Sequence, residues 1–498
     1  MTIQSSAMDR FPTGIAGLDT ITRGGLLASG VYIVQGVPGS GKTILANEIC
    51  YRHVAHGGRA IYVTLLAEAH SRMLQHLRSM SFFDESVIPD KLYYISAFRM
   101  LEDEGLKGLL DVLRREIRAQ HATLLILDGL VAAEESAPSA REFKKFIHEL
   151  QGQAVANGCT ILLLTSGGSE MVRAEHTMVD GLIELCDEHV DVRTHRTLSV
   201  RKFRGSGALR GKHSFRISAE GIQLYPRIEA AFDRPSKDPD GLGKKISTGS
   251  KSLDQMLAGG ISDASVTGVV GPTGAGKTLL GLQYLAQCSA EEPGLMFTFY
   301  ETPARLIDKA RAFGQDISRQ IKKGHLEIQW HPQAEHLLDE LGHKLLRAVA
   351  ERGVKRLVID GLGGFVESVM QPERIGRFMA CLANELRAQR VAAILAIESS
   401  DIVGPSVRMP VNGVSAIIEN LIFLRFVERN STMQRLISVT KMRNSAYDEH
   451  VRQLAITSNG IEIGEPLFGL EDVITGTSHR REALVAPKRS VVARRKKK

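Results

Sequence analysis

Short, continuously apolar runs alternate along the chain with longer amphipathic stretches. Residues 31–35, 60–65, 124–127 and 161–165 are such runs, and the stretch from Thr43 through Tyr51 continues the first of them as a helix. A run that is apolar at every position, rather than at every second one, needs cover on both faces. That is the pattern of a parallel sheet between layers of helix. The second half repeats it at 266–270, 295–299, 357–359 and 392–397. The expected class is α/β, with two mostly parallel sheets covered by helices.

The repetition extends to motifs. Gly36-Val37-Pro38-Gly39-Ser40-Gly41-Lys42-Thr43 and Gly271-Pro272-Thr273-Gly274-Ala275-Gly276-Lys277-Thr278 both fit G-x-x-x-x-G-K-T and start 235 residues apart. Each follows an apolar run and opens a helix, so its glycines let backbone N–H groups converge on phosphate oxygens at a helix N-terminus. Upstream, Pro12-Thr13-Gly14-Ile15-Ala16-Gly17-Leu18-Asp19 is answered at the same offset by Ser247-Thr248-Gly249-Ser250-Lys251-Ser252-Leu253-Asp254. Downstream, the strand ending in Asp128 is answered by the one ending in Asp360, and Lys202-Phe203-Arg204 by Lys441-Met442-Arg443, at offsets of 232 and 239. In a chain of 498 residues this repeat sets the organisation. Residues 10–235 and 236–476 are expected as two nucleotide-binding domains, joined through the Pro- and Gly-bearing stretch 226–245. Residues 477–498 are expected as a basic, disordered tail.

Composition narrows the class. Hydrophobic residues at 43% and charged residues at 24% suit globular domains. Aromatic residues are 5% with a single Trp, which offers no stacking platform for RNA. Five scattered cysteines without a C-x-x-C pair argue against a disulfide framework or zinc site and suit a reduced, cytoplasmic protein. No apolar run reaches the roughly 18 residues of a membrane span, and the start lacks a signal-peptide pattern. The formal charge of +7 is concentrated: residues 479–498 hold nine Lys or Arg and one Glu, leaving about −1 for the rest. A neutral body argues against nucleic-acid binding there, while the tail can meet acidic partners, RNA or anionic lipid.

The loops point to ATP and Mg²⁺. Lys42 and Lys277 would reach the β and γ phosphates, and the hydroxyls of Thr43 and Thr278 would meet the metal. Gly36, Gly39, Ser40 and Gly41 shape the first cradle; Gly271, Gly274, Ala275 and Gly276 shape the second. Asp128 and Asp360 end apolar strands, where a carboxylate can be directed at the metal or its water. Reaction also needs a group that orients or deprotonates the attacking oxygen, and here the copies differ. Glu301 follows the second strand of the second domain in Thr298-Phe299-Tyr300-Glu301. The first domain reads Thr64-Leu65-Leu66-Ala67-Glu68, and a one-residue shift in a strand turns a side chain to the other face. It is therefore expected to bind ATP and turn it over poorly. Lys202 with Arg204, and Lys441 with Arg443, alternate along strands, so each pair points to one side. Far from its own loop, each suits delivery of cations to a nucleotide held by a neighbouring subunit.

Together these motifs resemble the circadian clock protein KaiC family of RecA-like ATPases, over roughly residues 10–476. The most specific marks are the paired Thr-Gly-x-x-x-Leu-Asp openings, both phosphate loops, Arg201-Lys202-Phe203-Arg204-Gly205-Ser206 with Gly211, and Lys441-Met442-Arg443-Asn444-Ser445-Ala446-Tyr447-Asp448. The resemblance implies tandem RecA-like P-loop NTPase domains in a double-ring homohexamer, with ATP between subunits. It implies ATPase action in the N-terminal ring and autokinase activity in the C-terminal ring, and it assigns Lys202, Arg204, Lys441 and Arg443 to the next subunit's nucleotide. Where the family has two adjacent glutamates, this chain has Leu66-Ala67 and Tyr300-Glu301, which leaves Glu301 as the C-terminal base. The family's phosphorylated Ser-Thr pair falls on Ser415-Ala416, so Ser415 is the implied phosphoacceptor and Ala416 has no acceptor oxygen. The family histidine after the first basic pair is replaced by Ala208.

Three functions fit this reading. The first is a Mg²⁺-dependent ATPase and serine/threonine autokinase modified on Ser415, signalling through protein partners. The second is a nucleotide-switched hexameric scaffold with little turnover. The third is a DNA-dependent RecA-like ATPase, against which the neutral body counts.

Overall fold

The computed structural model describes residues 9–65, 70–167, 174–190, 192–205, 207–237, 243–332, 335–399, 414–429, 431–443, 445–467, 470–471 and 479–480. The chain divides into two compact units, Met1–Asp233 with Glu335–His343, and Arg234–Ala334 with Lys344–Lys498. None of the described helices is long and apolar enough to cross a membrane. The five cysteines are free thiols.

In the first unit one sheet gathers β1 (Val31–Gly36), β2 (Ala60–Thr64), β3 (Leu92–Ser96), β4 (Leu124–Asp128), β5 (Thr160–Thr165), β6 (Gly181–Val190), β7 (Arg193–Phe203), β8 (His213–Ser218) and β9 (Gly221–Tyr225). Their spatial order is β3-β2-β4-β5-β1-β6-β7-β8-β9. The second unit supplies β10 (Ser265–Gly271), β11 (Gly294–Thr298), β12 (Leu326–Trp330), β13 (Arg356–Asp360), β14 (Ala392–Glu398), β15 (Asn420–Arg429), β16 (Thr432–Met442), β17 (Arg452–Thr457) and β18 (Gly460–Pro466). Their order, β12-β11-β13-β14-β10-β15-β16-β17-β18, is the same with every number raised by nine.

Each sheet is parallel from its first edge through the sixth strand and antiparallel beyond. The continuous apolar runs account for the parallel half, and the expected mostly parallel sheets are found there. The antiparallel strands are only partly buried: β7 has four consecutive buried positions with more exposed residues at both ends. A search for continuous apolar runs passes over such strands.

Burial on both faces explains the parallel half. Val31 and Ile33 enter one core with Ile61, Val63, Leu125 and Phe146, while Tyr32 and Val34 enter another with Tyr62, Ile126 and Leu162. The second core is closed by Leu45 and Ile49 of helix α1 (Lys42–Ala55). In the first unit α2 is the short helix Ala174–Met178; in the second, Val269, Met296 and Val358 pack with Leu279, Leu282 and Tyr284 of α3 (Lys277–Leu285). On the opposite face Phe297, Phe365 and Phe378 follow one another at ring-centroid distances of 5.9 and 5.6 Å. Each fully buried side chain of this size contributes about 1.5–3 kcal/mol relative to exposure. Two further helices position the site below, α4 (Pro303–Ala312) and α5 (Val414–Ile417).

The Thr-Gly-x-x-x-Leu-Asp opening has a physical account. Asp19 accepts hydrogen bonds from the Thr13 amide (2.9 Å), the Thr13 hydroxyl (2.7 Å) and the Gly14 amide (3.2 Å). Asp254 likewise accepts from the Thr248 amide and hydroxyl, both at 2.7 Å. The glycine stands at φ +76° or +84° and lies directly against the helix after the phosphate loop. A Cβ there would come 2.5 Å from Arg52 Cβ, or 2.8 Å from the Gln283 carbonyl oxygen. Leu18 and Leu253 are buried beneath the turn. The motif thus clamps the start of each domain onto the helix that carries its phosphate loop. Replacing Asp254 by Ala removes a charged acceptor from a partly buried turn and is expected to cost about 1.5–3 kcal/mol of C-terminal domain stability, read as a lower urea midpoint at unchanged m-value. An unshifted midpoint would refute this account of the motif.

Candidate functional site

Because the parallel strands are sealed on both faces, polar side chains emerge where those strands end. Register places these ends side by side: Thr64 opposite Asp128 and Gln35 opposite Thr165 in the first sheet, Thr298 opposite Asp360 and Gly271 opposite Glu398 in the second. The phosphate loops leave β1 and β10 at this same end. Gly41 and Gly276 close them at φ +101° and +109°, a conformation that suits glycine, and α1 and α3 begin at the next residue.

In the N-terminal domain Lys42 Nζ donates to the carbonyl oxygens of Gly36 (2.7 Å) and Val37 (3.0 Å), so the ammonium folds back over its own loop. A cavity of about 460 Å³ lies beside it, lined by Lys42, Thr43, Thr64, His70, Asp128 and Ser166 among others. The Tyr62 hydroxyl donates to Asp128 Oδ2 at 2.6 Å. Burial pushes the Asp128 carboxyl above its ordinary range and the Lys42 ammonium below its own. His70 Nε2 sits 3.0 Å from the Thr64 hydroxyl, and burial lowers its imidazole pKa. Ala67 and Glu68, on which the expectation of poor turnover rests, lie outside the described residues.

The C-terminal cavity is larger, about 680 Å³. Lys277 Nζ donates to Gly271 O (2.8 Å) and Pro272 O (2.9 Å), and the Thr278 hydroxyl donates to Asp360 Oδ1 (3.1 Å). Burial, opposed by that hydrogen bond, pushes the Asp360 carboxyl up to about 6. Burial also lowers the Lys277 pKa. Glu301 lines the same cavity, and Lys309 of α4 forms an ion pair with it. Burial disfavours the charged forms of both, so the lysine gains from a polyphosphate and the aspartate from a divalent cation. Among the described residues no three His, Cys, Asp or Glu side chains group to hold a metal unaided. An ion on Thr278 and Asp360 would therefore complete its oxygen shell from phosphate and water, as small hard cations do.

The basic pairs stand elsewhere. Lys202 lies opposite Leu182 and Lys441 opposite Leu421, each beside a register shift in the strand pair. Such bulges re-aim neighbouring side chains. Leu182 pairs with Ile33 and Leu421 with Gly268, three residues before the loops begin, and neither pair lines its own domain's cavity. Lys202 donates to the carbonyls of His176 (3.0 Å) and Thr177 (2.7 Å) in α2, and Arg204 to Thr177 (2.8 Å). Lys441 donates to Ile418 O (2.6 Å) and Arg443 to Ala416 O (2.7 Å). Arg443 therefore holds the backbone of α5, the helix containing Ser415, and Lys441 the residue just past its end; the Ser415 side chain is outside the described set.

Three cavity residues escape a reading by motif. Glu398 ends β14, and a charged residue closing an apolar run was the available signal. His70 and Lys309 lie several residues past their strands and give none.

A family model described as "ATPase: KaiC" matches residues 11–229 and again 246–467. Curated relatives align over nearly their full length. The circadian clock oscillator protein KaiC of Thermostichus vulcanus is 27% identical over 96% of this chain and 94% of its own. The KaiC of Picosynechococcus sp. is 25% identical over 95% and 93%. Circadian clock oscillator protein KaiC 1 of Synechocystis sp. is 24% identical over 96% and 93%. Two matched domains, each with its phosphate loop at the end of a central parallel strand, place this chain in the KaiC ATPase family.

Proposed function

We propose that the protein is a KaiC-type, ATP-binding signalling protein that hydrolyses Mg-ATP and phosphorylates itself on Ser415, with its C-terminal domain as the principal catalytic unit. The observation that carries this reading is the C-terminal cavity, where Lys277, Thr278, Asp360 and the carboxylate of Glu301 converge. On binding ATP, Lys277 leaves the carbonyls of Gly271 and Pro272 for the β and γ phosphate oxygens. Thr278 and Asp360 hold Mg²⁺, which neutralises charge on the phosphates. Glu301 orients the attacking Ser415 oxygen and accepts its proton, with Lys309 fixing the carboxylate. The N-terminal domain binds ATP through Gly36–Thr43 and Asp128 and contributes little turnover, since Ala67 stands where the second domain has Glu301. Its nucleotide then serves mainly to hold subunits together, which is the scaffold reading confined to one domain.

The relatives are named as clock oscillator proteins. For this chain we carry over a homohexamer with nucleotide between subunits, because neither basic pair reaches its own domain's cavity. Lys202 with Arg204, and Lys441 with Arg443, then serve the neighbouring subunit's nucleotide. Ala416 beside Ser415 limits the signal to one phosphate at this place.

Lys277→Ala is expected to lower ATP turnover by about 10²-fold, the scale seen when a preorganised charge partner is removed, while Lys42→Ala lowers it far less at protein concentrations that keep the oligomer assembled. The reverse ranking, in a steady-state phosphate-release assay, would reassign the active domain. Incubation with Mg-ATP should add one phosphate to the intact mass, mapped to Ser415 and missing from Ser415→Ala. If an ATP-binding preparation gains no mass, the scaffold reading takes over. Mixing Lys277→Ala with Lys441→Ala protomers should produce more turnover than the two separate preparations combined, because mixed oligomers recreate intact sites between subunits. Activity no higher than that total would exclude action across the interface.

A further inference from the structure

Glu398 belongs to the C-terminal cavity but has no part in the mechanism above. It ends β14, opposite Gly271, and its Oε1 accepts a hydrogen bond from the Thr273 hydroxyl inside the phosphate loop. Strand β14 lies between β10, which carries that loop, and β13, which ends in Asp360. The carboxylate therefore emerges between the phosphate cradle and the candidate metal-binding aspartate, close enough to Lys277 for their charges to interact. Glu301 enters from beyond β11, with one oxygen already committed to Lys309. Among the described residues Glu398 is hydrogen-bonded by a neutral hydroxyl alone, and it is exposed and lines the cavity. The N-terminal domain is different at this place. Thr165 pairs with Gln35 just before the loop, so the following residue, Ser166, occupies the position of Glu398. A serine cannot act as a base there at neutral pH.

We propose that Glu398 is a second catalytic carboxylate of the C-terminal site, acting on water. The water oxygen bonds to the terminal phosphorus of a bound nucleoside triphosphate. The bond from that phosphorus to the bridging oxygen breaks, its electron pair leaving with the nucleoside diphosphate. The water proton passes to Glu398 and from there to solvent. Thr273 holds the carboxylate against the loop, so the base arrives already placed relative to the phosphate it serves. This assignment rests on the reading of the C-terminal domain as an ATPase, and it adds a reason why the two domains differ in turnover.

The test uses the full chain, otherwise unchanged, as parent for Glu398→Gln and Glu398→Asp. Glutamine keeps the size of the side chain and an oxygen for Thr273 but cannot take up the proton. Turnover, KM and equilibrium binding of a non-hydrolysable ATP analogue are measured for each. Glu398→Gln is expected to lower kcat by about 10²-fold with analogue affinity preserved. Glu398→Asp should recover part of the activity. A kcat within about twofold of the parent would overturn the assignment while leaving the ATPase reading intact. A parallel loss of kcat and analogue affinity would also overturn it, marking Glu398 as a support for the loop. Absence of turnover in the parent would remove the ATPase reading and the assignment with it.

Discussion

The burial of both faces of the central parallel strands governs what else this chain can do. Val31 and Ile33 point into one core, Tyr32 and Val34 into another, and all four are essentially inaccessible to water. No charged group can stand along such a strand without a desolvation cost of several kcal/mol. Chemistry is therefore confined to strand ends, and Asp128, Asp360 and Glu398 all occupy them. The loops, the carboxylates and the cavities share one edge of each sheet for this reason.

The same burial explains why the cavities suit a charged ligand. Lys42 and Lys277 are half-withdrawn from water and, among the described residues, hydrogen-bonded to carbonyls of their own loops alone. Asp128 leans on a tyrosine hydroxyl and Asp360 on a threonine hydroxyl. These neutral contacts hold the side chains near their working positions but leave their charges poorly compensated. A phosphate chain with its cation supplies the missing partners to both at once, so binding recovers energy that folding left unclaimed.

Two copies of one scaffold have diverged at the rim. The clamp from Asp19 or Asp254 to the opening turn is the same in both, as is the lysine folded over its loop. One difference stands where a side chain lines the cavity, Ser166 against Glu398. Packing constrains the scaffold at every position, whereas a residue on the cavity rim can change without disturbing a core. Divergence of the cavity lining at constant fold follows from that asymmetry.

Much was legible beforehand. Continuous apolar runs gave the parallel strands, the two G-x-x-x-x-G-K-T loops gave the ligand class, and their offset gave the tandem organisation. These are local properties: a strand buried on both faces must be apolar throughout, and a phosphate loop must hold its glycines at fixed spacing. The antiparallel half of each sheet was not legible, because its strands combine buried and exposed stretches and depend on neighbours far along the chain. Nor was the hold of Lys441 and Arg443 on the carbonyls of Ile418 and Ala416, at and just past the helix containing Ser415, which crosses more than twenty residues and turns on a bulge. The place of Glu398 beside Thr273, 125 residues away, was decided only when β14 paired with β10. Sequence by itself determined which elements form and which ligand they can cradle; the tertiary structure decided which carboxylates meet it, since strand order and register bring together residues that no local spacing connects.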